Sequence, residues 1–162
     1  MATTTEISSQ GQRVETIPCL TIPLYDEVIV LPNSAVAEVV SYIAPEVVEN
    51  VPEWFLGYIS WRDYRVPLIS FEAISGQEIK PAKKRSQIAI LNTLNGNAQV
   101  PYVGLLTQGI PSLAIVQDQG IQAAEFDKNE RQSIASMVEI GGVSALIPDV
   151  DDIEQRLIRL HI

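Results

Sequence analysis

The sequence predicts a mainly β protein, built from many short strands as small barrels or a sandwich and finished by a C-terminal helix. Three observations predict it. Short apolar runs rich in β-branched and aromatic residues recur between turn-forming Gly, Pro, Asn and Asp. These turn signals are closely spaced, as in antiparallel barrels and sandwiches. Near the end of the chain Val150, Ile153, Leu157 and Leu160 fall on one helical face.

The 162 residues suit one domain, or two small lobes sharing a core. With 46% hydrophobic residues, 19% charged and a net charge of −9, the surface is acidic, which argues against sequence-independent binding to nucleic acid. Cys19 is the single cysteine and reads as a small core residue. The first residues lack a positive region followed by an apolar run, and no apolar stretch is long enough to span a bilayer. A soluble cytoplasmic protein, with no direct membrane insertion, is the expectation.

Residues 1–16 are rich in Thr, Ser and Gln with little to bury, and are expected to form a flexible tail. Ile17 to Leu24 and Val28 to Leu31 read as two strands around a turn at Asp26 and Glu27, with Pro18 and Pro23 confining the first to a sheet edge. Asn33 or Ser34 offers a cap for a short helical turn over Ala35, Val36, Ala37 and Glu38, before strand character resumes at Val39. A loop from Ala44 to Pro52 delivers the chain to a hairpin. Its arms are Phe55 to Trp61 and Val66 to Phe71, and its turn displays Arg62, Asp63, Tyr64 and Arg65.

Lys80, Lys83, Lys84 and Arg85 make the only basic cluster, read as a solvated connector beside Pro81. Two further strands follow around the turn residues Asn95, Gly96 and Asn97, the second containing Gly104. Ile110 to Val116 continue the sheet, and Pro111 implies an edge or a bulge. The segment from Gln117 to Gln132 reads as a long polar loop. A last hairpin turns at Gly141 and Gly142, and the terminal helix begins at Pro148 or Asp149.

Laid over each other, the two hairpins match at a constant spacing of 79 residues, in the pairs Ile59 and Val138, Val66 and Ala145, Phe71 and Val150, and Ile74 and Ile153. This suggests an internal duplication, although hairpin signatures recur in any β protein.

Chemistry-bearing residues are sparse. The one histidine, His161, is far in sequence from Cys19, and no phosphate-cradling Gly loop, metalloprotease motif or singled-out carboxylate pair is present, so no catalytic residue, cofactor or metal is expected. Asp149, Asp151, Asp152 and Glu154 lack the spacing of a calcium loop and suit the first turns of a helix. Trp54 and Trp61 read as core or seam residues. Arg62, flanked by Trp61 and Tyr64, has the residue types enriched at interface hot spots, while Glu38 either pairs locally with a cation or marks a binding edge.

The runs LPNSAVAEVV, VPEWFLGYISWRDYRVPLISF and VPYVGLLTQGI, with the Gly-Gly hairpin leading into PDVDDI, together resemble the CheW-like adaptor domain of bacterial chemosensory systems from about residue 17 to the end. The resemblance implies two five-stranded SH3-like barrels packed around a shared hydrophobic seam, with short helices and a C-terminal helix. The first barrel would span about 17–80 plus the terminal helix, and the second about 81–148. It further implies a non-catalytic adaptor between chemoreceptor cytoplasmic tips and the regulatory domain of a CheA-like histidine kinase. Partner contacts would then fall at Val36, Glu38, Gly57, Arg62, Asp63, Gly104 and Gln108.

Asp63 stands where the family usually has Gly, Ser70 where an Asp is common and Gln108 where an Asp is frequent. These departures suggest a specialised partner set, as in the accessory CheW-like proteins of pilus-dependent twitching motility. The alternative is a small β-barrel module that binds another protein or an oligosaccharide.

Overall fold

A computed structural model describes residues 4–7, 13–117, 121–125 and 131–160, with the backbone alone for 4–7, 13 and 14. The chain forms two sheets. The larger, seven-stranded one contains β1 (Thr4–Ile7), β2 (Arg13–Pro23), β3 (Val28–Pro32), β9 (Ser112–Gln117), β10 (Ile121–Ala124), β11 (Ile134–Ile140) and β12 (Val143–Pro148). The five-stranded one contains β4 (Val36–Ser41), β5 (Phe55–Trp61), β6 (Tyr64–Ile69), β7 (Gln87–Asn92) and β8 (Tyr102–Leu106), ordered β4-β7-β8-β6-β5. Two helices, α1 (Phe71–Ile74) and α2 (Val150–Arg159), each follow a hairpin.

The mainly β architecture with a terminal helix is the expected one, but the strands divide differently. The small sheet takes the middle of the chain, and the large sheet takes both flanks. A division near residue 80 fails because β7 and β8 complete the sheet that β4, β5 and β6 begin: β8 runs parallel to β6, with Leu68 opposite Gly104. The tail expected over residues 1–16 contains β1 and the start of β2, registered Thr4 with Thr16. The loop expected over 117–132 contains β10, paired with β11. Its charged stretch Asp127 to Glu130 lies outside the described residues, as does His161.

β2 is not a sheet edge. It pairs with β9 along Thr16 to Thr21 and with β3 along Cys19 to Pro23. The prolines are tolerated by position: at Pro18 the β1 pairing has ended at Thr16 and that of β3 has yet to begin, while Pro23 lies beyond the last β9 partner. The helical turn expected from Ala35 to Glu38 is a 3-10 turn over Asn33–Ala35, and Val36 already starts a strand. Pairing to β7 outweighs the weak local helix signal.

The apolar runs are explained by burial on both faces of the sheets. In β7, Ile88 and Ile90 point into the small sheet's own interior, while Ala89 and Leu91 join the seam between sheets. Leu20, Ile22, Ile29 and Leu31 approach that seam from the large sheet, and Phe71, Ile74, Val150, Ile153 and Leu157 add the two helices. This shared seam is the largest core cluster. Arg131 ties its rim, forking onto Glu27 at 2.9 and 3.1 Å and donating to the Ser75 carbonyl at 3.1 Å, so one guanidinium holds three loops.

The spacing of 79 holds throughout the two hairpins. Ile59 pairs with Val66 and Val138 with Ala145, and the bulges fall at Phe55/Gly57 and Ile134/Ser136. Ser70 caps α1 by accepting from the Ala73 amide, as Asp149 caps α2 by accepting from that of Asp152. Even the backbone bonds from Ser70 to Trp54 and from Asp149 to Ser133 correspond. The interiors differ, because Ile59, Trp61 and Val66 have smaller counterparts in Val138, Ile140 and Ala145. A cavity of about 210 Å3, lined by Cys19, Val30, Val138, Ile140 and Ile147 among others, lies inside the large sheet.

Candidate partner-binding site

The β5–β6 hairpin ends in a two-residue turn, with Trp61 and Tyr64 as its last pair. Both turn residues are left-handed, Arg62 at φ 44° and Asp63 at φ 64°. The duplicate turn has the same hand but fills it with Gly141 at φ 58° and Gly142 at φ 80°. Two-residue hairpin turns need positive φ because their twist must match that of the strands. Glycine adopts it freely, whereas a side chain there is strained, by about 1–2 kcal/mol for a left-handed residue in general. Asp tolerates this conformation better than Arg.

Glu38 organises what surrounds the turn. Its Oε2 accepts from the Trp61 indole Nε1 at 2.5 Å and lies 3.5 Å from the Arg62 guanidinium. That guanidinium sits 4.9 Å from the Trp61 ring centroid, and its side chain remains 66% exposed. Trp61, Tyr64 and Tyr102 form an aromatic cluster, with Tyr102 edge-on to the other two at 4.8 and 4.9 Å. On the other side Arg65 stacks 3.7 Å over Tyr58 and lies 3.6 Å from Glu46. Glu46, Tyr58, Trp61, Arg62, Tyr64 and Arg65 border an open groove of about 400 Å3 along the hairpin. The surface presents cations on aromatic faces, suited to a protein partner with acidic and apolar groups.

The structure thus brings Glu38, Arg62 and Asp63 together and separates the other expected contact residues. Gly57 is buried at φ 132°, where a Cβ would lie 2.2 Å from the Glu46 carbonyl oxygen, so its role is to admit the Glu46–Tyr58 bridge. Gly104 faces Ile88 and Leu68 in the interior. Gln108 is buried; its amide donates to Pro23 at 2.9 Å and its Nε2 reaches the Lys80 carbonyl at 3.5 Å. Val36 is half-buried against the seam. Ser70, the other noted departure, is fully buried as the α1 cap.

Arg65, expected in the turn, lies in β6, and Tyr58, Glu46 and Tyr102 carry no signal of a site in the sequence. Arg65 reaches Tyr58 diagonally across the hairpin, a contact that the strand register implies, because Tyr58 pairs with Pro67. Tyr102 arrives through the non-local β6–β8 pairing, which leaves no local signal. Away from this surface, burial pushes the Cys19 thiol up, as expected of a core cysteine rather than a nucleophile.

The profile of the CheW-like domain matches residues 18–157. The chain belongs to the CheW-like domain family. Among solved structures, the scaffolding protein TtCheW from Thermoanaerobacter tengcongensis shares the fold with this CheW-like chain at a TM-score of 0.69 and 19% identity, covering 82% of this chain and 88% of that one. No curated protein matches the sequence. The CheW-like fold accounts for the paired sheets and the seam.

Proposed function

We propose that this chain is a non-catalytic chemosensory adaptor, acting in the cytoplasm to couple methyl-accepting chemoreceptors to a CheA-type histidine kinase. Membership of the CheW-like family supports the class of function. The observation that carries the site is the strained turn: Arg62 and Asp63 occupy left-handed positions that the duplicate hairpin fills with Gly141 and Gly142. Strain of this kind persists where the displayed side chains are useful. Arg62, backed by Trp61 and steered by Glu38, is the contact residue for the kinase regulatory domain, and Asp63 tunes partner choice. The rim of the seam between the sheets receives the helical receptor tip.

Asp63 in place of the family's turn glycine favours a specialised receptor and kinase pair, such as one controlling pilus-driven twitching. The test is capture of the cell's own CheA-like kinase by the purified chain, repeated with Arg62→Ala. Wild-type capture lost in the variant is the expected result. A folded wild type that captures neither kinase nor receptor overturns the reading.

A further inference from the structure

We propose that the basic groove formed by Lys83, Lys84 and Arg85 with Tyr42 and Ile110 is a second docking site, taking an acidic protein segment that carries an apolar side chain. Among the described residues, Arg62, Arg65, Lys80, Arg131 and Arg156 each pair with a carboxylate. Lys83, Lys84 and Arg85 are consecutive, exposed and make no ion pair among those residues. In a chain of net charge −9, three uncompensated cations in a row are a concentrated field of the minority sign.

The segment is an exposed connector between α1 and β7, held in a defined turn. The Lys83 amide donates to the Ser86 hydroxyl at 2.8 Å, the Ser86 amide returns to the Lys83 carbonyl at 3.0 Å, and Gln87 enters β7 opposite Ser41. The ammonium groups of Lys80 and Lys83 lie 4.3 and 4.2 Å from the Tyr25 ring centroid, which anchors the edge of the patch. The groove, about 570 Å3, has Tyr42 and Ile110 in its wall, and these are 40% and 58% exposed. Apolar area framed by cations fits a segment with carboxylates beside an apolar residue. Three cations match a short acidic segment but are too few for nucleic acid or an anionic membrane, which present many phosphates at once.

The position also fits an adaptor, and to that extent the proposal rests on the function proposed above. Glu38 of the turn site pairs with Ile90, whereas Ser41 and Gln87 mark the other end of the same two strands. The two sites therefore lie three residues apart along β4 with different lining residues, so the Arg62 and Lys84/Arg85 variants test them separately.

The test is fluorescence anisotropy of the full chain with a labelled glutamate-rich peptide containing one leucine. A lysine-rich counterpart, a single-stranded oligonucleotide and phosphatidylserine vesicles serve as the other probes. The glutamate peptide is expected to bind saturably and more weakly as salt rises, and the other three are not. Combined Lys83→Glu, Lys84→Glu and Arg85→Glu should weaken it about tenfold or more, Ile110→Ser severalfold, and Arg62→Ala not at all. A milder Lys84→Ala, Arg85→Ala variant, with its melting temperature checked, separates lost binding from lost folding. Absence of saturable binding, binding unchanged in the folded charge variants, or preference for oligonucleotide or vesicle overturns the proposal. Failed kinase capture with peptide binding intact removes the adaptor function alone, and the converse removes this site alone.

Discussion

Replacing Glu38 by alanine removes two interactions of unequal size. The Trp61 indole is 8% exposed and loses its acceptor, at about 1–3 kcal/mol for a buried donor left unmade. The Arg62 pair is long at 3.5 Å and its side chains are 66% and 40% exposed, so solvent screening leaves it about 0–1 kcal/mol. Glu38→Ala should therefore destabilise by about 2 kcal/mol and Arg62→Ala by less than about 1 kcal/mol, with the double variant close to Glu38→Ala alone. In a chain of this size the first loss lowers the melting temperature by about 5 °C.

Urea unfolding followed by tryptophan fluorescence, alongside kinase titration of the same proteins, checks both halves. Arg62→Ala should lose binding while staying folded, and Glu38→Ala should lose both binding and stability. Glu38→Gln keeps an acceptor for the indole and should recover most of the stability. Equal destabilisation by Arg62→Ala and Glu38→Ala would refute the reasoning, since Arg62 would then be a structural residue with its exposed head incidental.

Four further outcomes are expected. Arg62→Gly with Asp63→Gly, which copies the Gly141–Gly142 turn, should hold or raise stability by about 1 kcal/mol while abolishing kinase capture; a lowered melting temperature would show that the side chains themselves hold the turn. Gly57→Ala must push a Cβ against the Glu46 carbonyl and should cost about 3 kcal/mol or prevent folding, read from circular dichroism melting. For Asp152, burial acts to raise the carboxyl, but bonds from Ser133 and Arg156 and the nearby charges of Arg156 and Arg159 prevail and hold it below the usual carboxylate range. Its contribution is thus present above the unfolded value of about 4 and fades as pH falls through the lower folded one, so Asp152→Asn should flatten the acid limb of stability against pH. Val138→Ile, matching Ile59, should fill part of the large sheet's cavity and raise stability by about 0.5–1 kcal/mol in a thermal melt; a decrease would show that the space is already occupied.

Local signals were the legible ones. The β5–β6 and β11–β12 hairpins, the turn between β2 and β3, and the Asp149 start of α2 are each set by residues near one another in the chain. The division of strands between sheets was not legible, because β6 with β8 and β12 with β3 pair in parallel across long stretches of sequence. Of the candidate site, Arg62 and its aromatic flank could be read from residue type, and Glu38 was placed there by resemblance. That Glu38 braces the Trp61 indole depends on the turn coming close to β4, which no local pattern encodes. Gly104 and Gln108 were named by resemblance alone, and their burial within the fold was not legible from local pattern.

The duplication separates what the fold requires from what this member adds. Where both hairpins agree, in register, bulge, cap and left-handed turn, the agreement follows from closing a twisted hairpin onto a helix, and any copy of the unit needs it. Where they differ, one copy has Trp61, Arg62 and Asp63 against Ile140, Gly141 and Gly142 in the other. The glycine copy meets the conformational requirement without strain, so closure of the turn does not explain Arg62 and Asp63. The larger ring at Trp61 supplies both the face beneath the guanidinium and the donor that fixes Glu38 beside it. All of these differences place an arginine, oriented but still exposed, at the end of a rigid hairpin, as expected of a recognition residue on an adaptor surface.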